Sequence, residues 1–506
     1  MRKIIRFAAL LTALALFALP VQAAPEGPLE GMIYEVFVRA FADSDGDGIG
    51  DLKGLTGKLD YVESLGAKAL WLMPVFPSPS YHGYDVTDYR SINPEYGTME
   101  DFELLLSEAH ARGIRVLLDL PINHTSSQHP WFIESRKEDS PYRSWYHWLR
   151  AGENDALLGQ KVWDNKPWKQ LGDAYYYALF WDGMPDLNFS SPEVVREVTD
   201  IAKYWLSLGV DGFRMDAASH IFARAEQGMS QDVEASAAFW QGFYREIKAV
   251  FPDAYLLAEA WESLDIRSRI LTGFDAVVNF NVGDQLIPLI KQGGSGAAFT
   301  QALARVYGAY EQAAPGRGDA PFLSNHDQPR VFAALGYSKD RAALAARVLM
   351  TLPGNPVVYY GEEIGMAGAK PDEELRTPML WGEGDPALTT WHDSRYNKRT
   401  QSVSLQQEDA DSLLSVYRRM AALRQAHPAL LCGSFAPYEA SDSALMAWTR
   451  TAEGETILVV HNPTDEARAF EAPEGALNLS DEASAAGGLS VPALSSLLLR
   501  LPMEGI

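Results

Sequence analysis

The sequence predicts an α/β fold: a closed (β/α)8 barrel, with a small domain inserted after its third strand and an antiparallel β domain at its C-terminus. Three observations carry that expectation. Eight short apolar segments alternate with amphipathic helical stretches over most of the 506 residues. One interval, residues 126–190, is far too long for a turn and shows no clear period. After about residue 431 the pattern changes to short apolar runs separated by Gly, Asp and Pro.

The chain begins with a different kind of segment. Arg2, Lys3 and Arg6 precede an apolar run from Phe7 to Leu19, and small residues follow at Val21 and Ala23. Residues 1–23 therefore read as a secretory signal peptide, too short for a comfortable membrane span. A secreted or periplasmic protein with no membrane anchor is expected. Loss of the leader's three basic residues takes the formal charge from −24 to −27. That acidity argues against nucleic acid and anionic membranes as partners and suits neutral substrates and bound cations. Cys432 is the only cysteine, so no disulfide within the chain is possible. Stability must come from a large core or from metal.

The eight candidate strands are residues 32–38, 67–75, 114–120, 210–216, 254–260, 274–280, 320–325 and 355–361. Between them, Phe102, Leu105, Leu106 and Ala109 keep the i, i+3, i+4, i+7 spacing of a helix face, as do Val194, Val198, Ile201, Trp205 and Leu208. The barrel is expected over 28–125 and 191–430, closing with a helix at 411–426. The insertion, 126–190, is rich in aromatic residues ("SWYHW", "VWDNKPW", "DAYYYALFW"). Trp163, Trp168, Tyr175 and Trp181 there would suit stacking on sugar faces, and equally the core of a small domain. The runs "ALMAWTR", "TILVVHN" and "LSSLLLRLP" predict a C-terminal β-sandwich over 431–506.

Functional groups of such barrels gather at the C-terminal ends of the strands. Strand three ends with Asp119, Asn123 and His124, and strand four with Arg214, Asp216 and His220. Strand five ends with Glu259, and strand seven with His326 and Asp327. Three carboxylates at one mouth raise one another's pKa, a costly arrangement unless chemistry uses it. Glycoside hydrolysis does: one carboxylate attacks or activates water and another protonates the leaving oxygen. Arg214 stands two residues before Asp216, on the same strand face, where it would hold that carboxylate ionised. Glu259 lies between alanines and before Trp261, and apolar neighbours would raise its pKa. Singly, each residue reads as a helix cap, a structural ion pair or a core histidine; together, on strands three, four, five and seven, they read as a site. No HExxH or comparable cluster points to a metal-dependent hydrolase.

One motif stands apart. In "DSDGDGIGD", Asp43, Asp45 and Asp47 occupy the first, third and fifth positions of an EF-hand loop, and Gly48 the sixth. Ile49 would offer its carbonyl at the seventh and Asp51 would sit at the ninth, but Gly54 stands where the bidentate Glu belongs. A strand, not a helix, precedes the loop.

These motifs, in this order, resemble the α-amylase family, glycoside hydrolase family 13. The likeness runs from "IYEVFVRAFADSDGDGIGDLKGL" through "GYDVTDYRSINPEYGT", "DLPINHT", "MPDLN", "GFRMDAASH", "AEAW" and "NHD" to the C-terminal β domain. It implies a TIM barrel enzyme with a retaining mechanism acting on an α-glucan. Asp216 would be the nucleophile, Glu259 the general acid/base and Asp327 the third carboxylate. Tyr84, His124, Arg214 and His326 would surround the sugar, and Asp85 would be the acidic partner of Tyr84. The Asp-rich loop would bind a structural Ca2+ through Asp43, Asp45, Asp47, Ile49 and Asp51. "MPDLN" resembles neopullulanase-like and intermediate members, and "RTPMLW" the oligo-1,6-glucosidase side, which implies the group between them. Ala217 after the nucleophile, where α-1,6-cleaving members commonly carry Val, favours α-1,4 cleavage. Ser219 departs from the Lys that many α-amylases carry there on the leaving-group side. The leading expectation is an α-1,4-glucan hydrolase; a transglycosylase, a pullulan- or cyclodextrin-acting enzyme and a non-catalytic sugar-binding barrel are the alternatives.

Overall fold

The computed structural model describes residues 29–479 and 487–502; the expected leader, 1–23, lies outside them. Eight parallel strands form one sheet: β1 (Met32–Val36), β2 (Ala67–Leu72), β3 (Arg115–Leu120), β4 (Gly212–Met215), β5 (Tyr255–Ala258), β6 (Ala276–Asn279), β7 (Gly318–Pro321) and β8 (Val357–Tyr359). Hydrogen-bonded neighbours run β7-β6-β5-β4-β3-β2-β1-β8. A parallel bridge between Phe322 and Val357 joins the two edges and closes the barrel. Seven of the eight expected segments contain a barrel strand, and the other overlaps one. The seventh starts earlier than expected and stops at Pro321, because beyond the bridge at Phe322 the chain leaves the ladder for the mouth. The fourth stops at Met215, two residues before Ala217 takes a left-handed φ of 47°.

Side chains alternate across every strand with a period of two. Ile33, Ala69, Leu117, Leu257, Ala276, Ala320 and Val357 fill the barrel interior. Tyr34, Val36, Leu70, Leu72, Val116, Leu118, Leu256 and Val358 pack outward beneath the helices. The next inward positions toward the mouth are Glu35, Trp71, Asp119, Arg214 and Glu259. The same parity that places apolar residues at the bottom thus places charge at the top.

The helices show why the outer layer forms. Met99–Ala111 begins with a capping box between Thr98 and Asp101 and buries Phe102, Leu105, Leu106 and Ala109. Pro192–Ser207 starts with Pro at its first position and buries Val194, Val198, Ile201 and Trp205. Burying each large side chain of such a stripe stabilises by about 1.5–3 kcal/mol. Leu413–Ala426 is the last barrel helix.

Between β3 and β4 the chain builds a short helix, Pro130–Ser135, and a three-stranded antiparallel sheet of Trp148–Arg150, Trp168–Leu171 and Ala174–Tyr177. Leu149, Trp168, Tyr177, Leu179, Ala223 and Ala225 form its small core. Trp168 is thus a core residue, and Tyr175 packs against that core, whereas Trp163 and Trp181 are exposed.

The C-terminal sheet contains Ser434–Pro437, Met446–Ala452, Glu455–Asn462, Ser495–Arg500 and Leu477–Asn478. Met446, Trp448, Ile457, Val459 and Leu498 join the barrel's outer core. Ala447, Leu458, Val460 and Leu499 face the other way and share a second core with Phe470 and Val491 of the two-stranded sheet Arg468–Ala472 and Gly487–Val491. Alternation buries both faces of one sheet.

Candidate active site

Arg214 organises the mouth. Its side chain is almost fully buried, and one terminal nitrogen donates to Asp119 Oδ1 at 2.9 Å and to Asp216 Oδ1 at 2.6 Å. Its other terminal nitrogen lies 3.8 Å from Glu259 Oε2. A single planar cation therefore hydrogen-bonds the carboxylates at the ends of β3 and β4 and stands within ion-pair distance of the one at the end of β5. Asp119 is fully buried; burial pushes its carboxyl up, against the opposing pull of Arg214, to about 6. Trp71 Nε1 and the Tyr84 hydroxyl also donate to Asp119 Oδ2, at 3.3 and 2.9 Å.

Glu259 has a different environment. Burial pushes its carboxyl up to about 7; Arg214 opposes this and the Asp216 charge adds to it. Its Oε2 accepts the Ala217 backbone N–H at 2.8 Å. Asp216 and Glu259 are thus linked twice, through Arg214 and through the residue directly after Asp216. Two carboxylates set apart in this way suit opposite roles in acid–base chemistry.

The third carboxylate lies in another cationic frame. Asp327 Oδ2 is 3.2 Å from His326 Nε2, and Asp327 Oδ1 accepts from Arg376 at 2.9 Å. Burial would raise the Asp327 pKa, but His326 and Arg376 hold it far below the usual carboxylate range. His326 Nδ1 contacts Glu35 Oε1 at 2.5 Å, and its Nε2 is 2.6 Å from the Tyr84 hydroxyl. The Tyr84 and His326 rings stack at 5.6 Å.

The structure thus gathers Asp216, Glu259, Asp327, Tyr84, Arg214 and His326. His124 packs beside them, its Nε2 at 3.1 Å from the Tyr84 carbonyl and its ring against Phe180. Asp85 departs from expectation. Its carboxylate accepts from Ser78 at 2.6 Å and from Ser80, while the acidic partner of the Tyr84 hydroxyl is Asp119. Tyr84 and Asp85, adjacent on the loop after β2, thus serve different neighbours.

Beyond Glu259 opens a cleft of about 370 Å3 lined by Trp163, Phe180, Ser219, His220, Trp261 and Glu262. Ser219 and Gln231 donate to Glu262 at 3.3 and 2.8 Å, so a carboxylate stands beside Ser219 on this side of the cleft. A larger cavity, about 1220 Å3, lies at the opposite end of the barrel, against the C-terminal domain. There Lys248 and Arg317 pair with Asp275 at 2.9 and 3.0 Å and flank the Tyr244 ring. None of the expected site residues lines it, whereas the smaller cleft opens on Glu259.

Residue reading missed Arg376 and Glu35 and left Asp119 without a role. Arg376 lies in "RTPMLW", between strand β8 and the last helix, where no periodic signal marks it. Glu35 carried a signal: it is the one charge in the apolar run of β1, with the inward parity of Ile33.

The Asp-rich loop follows β1 after a single helical turn, Val38–Phe41, which the expectation of a strand directly before the loop did not include. Ligand oxygens of Asp43, Asp45 and Asp51 lie within 4.8 Å of one another. Asp47 lies outside that group, its carboxylate accepting the Ile49 N–H at 2.7 Å. Asp43 accepts from the N–H groups of Asp45, Gly46 and Gly48, and Asp51 from Ser44 and Gly54. The all-oxygen donor set fits a hard divalent cation such as Ca2+.

The chain is similar to known proteins over most of its length. Residues 35–433 match the family model described as alpha amylase, catalytic domain. The chain is 43% identical over 438 residues to "Alpha-amylase 3" of Dictyoglomus thermophilum, covering 85% of this chain and 84% of that one. It is 35% identical over 453 residues to a 4-alpha-glucanotransferase of Thermotoga neapolitana, covering 87% and 97%. The crystal structure of an alpha-amylase from H.orenii superposes with a TM-score of 0.85 at 40% identity, covering 94% of this chain and 100% of that one.

Proposed function

Since the chain belongs to the α-amylase family and is a glucan-acting glycoside hydrolase of it, we propose that it is a secreted, retaining hydrolase of α-1,4-glucosidic bonds in starch-like glucans and maltooligosaccharides. The observation that carries this is the placement of Asp216 and Glu259 on one guanidinium, with Glu259, and not Asp216, lining the cleft. Asp216 attacks the anomeric carbon while Glu259 protonates the departing glycosidic oxygen. Glu259, now ionised, then takes a proton from water, which displaces Asp216 and restores the starting configuration. Asp327, His326, Tyr84 and His124 hold the sugar on the non-reducing side of the bond. Trp163, Phe180 and Trp261 offer apolar surface to the sugar on the leaving side.

Ca2+ belongs to this reading as a structural ion. Asp43, Asp45 and Asp51 would hold it, with Asp47 and the Ile49 carbonyl on the same loop. It would fix the connection after β1 in a chain without disulfides. Export rests on the basic, apolar and small-residue order of residues 1–23; N-terminal sequencing of the exported protein should begin at Ala24.

The decisive experiment follows products from amylose, pullulan and cyclodextrin with time, with the anomeric form of the first product read by NMR. Maltooligosaccharides released as α-anomers are expected. A product set made only of transfer products favours the second reading, a transglycosylase, for which the likeness to a 4-alpha-glucanotransferase is the observation. Release of β-anomers would rule out the covalent route.

A further inference from the structure

Glu35 lies on β1 with no exposed surface, at the level of the barrel where the interior changes from apolar to charged. Its Oε1 meets His326 Nδ1 at 2.5 Å, and its Oε2 has no hydrogen-bond partner among the described residues. On the other side of the same imidazole, Nε2 faces Asp327 Oδ2 at 3.2 Å and the Tyr84 hydroxyl at 2.6 Å. The Tyr84 proton is already directed to Asp119 at 2.9 Å. A neutral imidazole carries one N–H. If that proton sits on Nδ1 for Glu35, the Nε2 lone pair faces a carboxylate; if it sits on Nε2, a buried Glu35 carboxylate faces a lone pair. Only the imidazolium donates to both sides.

We propose that Glu35 is a positioning residue for the reaction: through Nδ1 it holds His326 as a doubly donating imidazolium, so that Nε2–H stays aimed at Asp327 and the sugar hydroxyl beside it. The inference rests on the reading of His326 and Asp327 as substrate-binding groups. The charged and titratable groups around the imidazole are consistent with it. Glu35 approaches from β1, Tyr84 from the loop after β2, Asp119 from β3 and Arg214 from β4. Asp327 follows His326 on its own loop, and Arg376, after β8, donates to the His326 carbonyl at 3.1 Å. Tyr359 and Glu362 approach Glu35 from the β8 side. Burial would lower the His326 pKa; Asp327 and Glu35 outweigh it and bring it to about 9.

The test is Glu35→Gln, which keeps shape and an acceptor but removes the charge. Loss of an opposite charge at this range shifts a titration by about 1–3 pH units. In spectra of 15N-histidine-labelled protein, with the resonance assigned through His326→Gln, the His326 titration should fall from about 9 into the range of about 6–8. The variant-to-wild-type ratio of kcat/KM should drop between pH 5 and pH 8, by about twofold if the variant imidazolium titrates near 8 and by about eightyfold if it titrates near 6. Glu35→Asp, which restores the charge, should move both readouts back toward wild type. An unmoved His326 titration, or an activity loss equal at every pH, overturns the proposal. Wild-type protein inactive on every α-glucan would instead sink the functional reading, and the titration would still decide what Glu35 does.

Discussion

Glu259→Gln gives a prediction with two independent readouts. The carboxyl is pushed from 4.5 up to about 7, first by burial and then by the Asp216 charge, against Arg214. At 1.36 kcal/mol per unit this is on the order of 3 kcal/mol of preference for the protonated form. Its side chain is 18% exposed, so solvent screens part of that and the figure is an upper one. The sign follows from linkage. The folded pKa lies above the unfolded one, so this group's contribution to stability is fully present below pH 4.5 and is lost as pH rises through about 7. Glutamine cannot titrate. In urea melts the variant should therefore gain stability relative to wild type between pH 4 and pH 8, by up to about 3 kcal/mol. The second readout is catalytic. Loss of a general acid costs about 10²–10⁴ in rate when the leaving group needs a proton. Maltooligosaccharide hydrolysis should fall by that factor, while the first step on an aryl glycoside with an acidic phenol should fall far less. Wild-type activity should decline on the alkaline side near pH 7, the limb belonging to Glu259. Equal losses on both substrates, together with parallel stability curves, would refute both the role and the environment assigned to Glu259.

Three further expectations follow. Asp216→Asn should abolish turnover, by about 10⁴-fold or more, while maltooligosaccharide binding measured by calorimetry persists; full activity would remove the nucleophile assignment. Ala217→Val should cost about 1–2 kcal/mol in denaturant melts, because a β-branched residue is strained at φ 47°, whereas Ala217→Gly should be close to neutral; a stabilising valine would contradict the conformation. Chelation should lower the melting temperature and added Ca2+ should restore it. Asp51 also caps the helix Leu52–Gly57, so its replacement costs about 1 kcal/mol with or without metal, and the chelation curve, not the variant, is the deciding measurement.

Much of the site was legible because a barrel ties sequence to position. The ends of strands three, four, five and seven had to meet at one mouth, so Asp216, Glu259 and Asp327 could be read as one group before any distance was known. The nearby misreading of Asp85 has a plain cause. Tyr84 and Asp85 sit on a loop, and nothing in a loop's spacing says which side chain turns inward. Of the four aromatic candidates in the insertion, Trp168 proved to be core and Trp163 part of the cleft. Periodicity distinguishes faces of a strand or helix, and this insertion is mostly turns and strands of three or four residues.

By itself the sequence determined the order of strands and helices, the inward parity of each strand, the carboxylates at the mouth and the hard-oxygen character of the first loop. These depend on neighbours along the chain, within a turn or a pleat of one another. Tertiary structure alone decided which groups share a charge. Arg214 bridges three strands, Arg376 crosses from the far side of β8 to Asp327, and Glu35 on β1 meets His326 from β7. Those pairings span up to 291 residues. The longest, Glu35 to His326, exists because closing the barrel brings β7 round, past β8, to β1, a contact that no local pattern encodes.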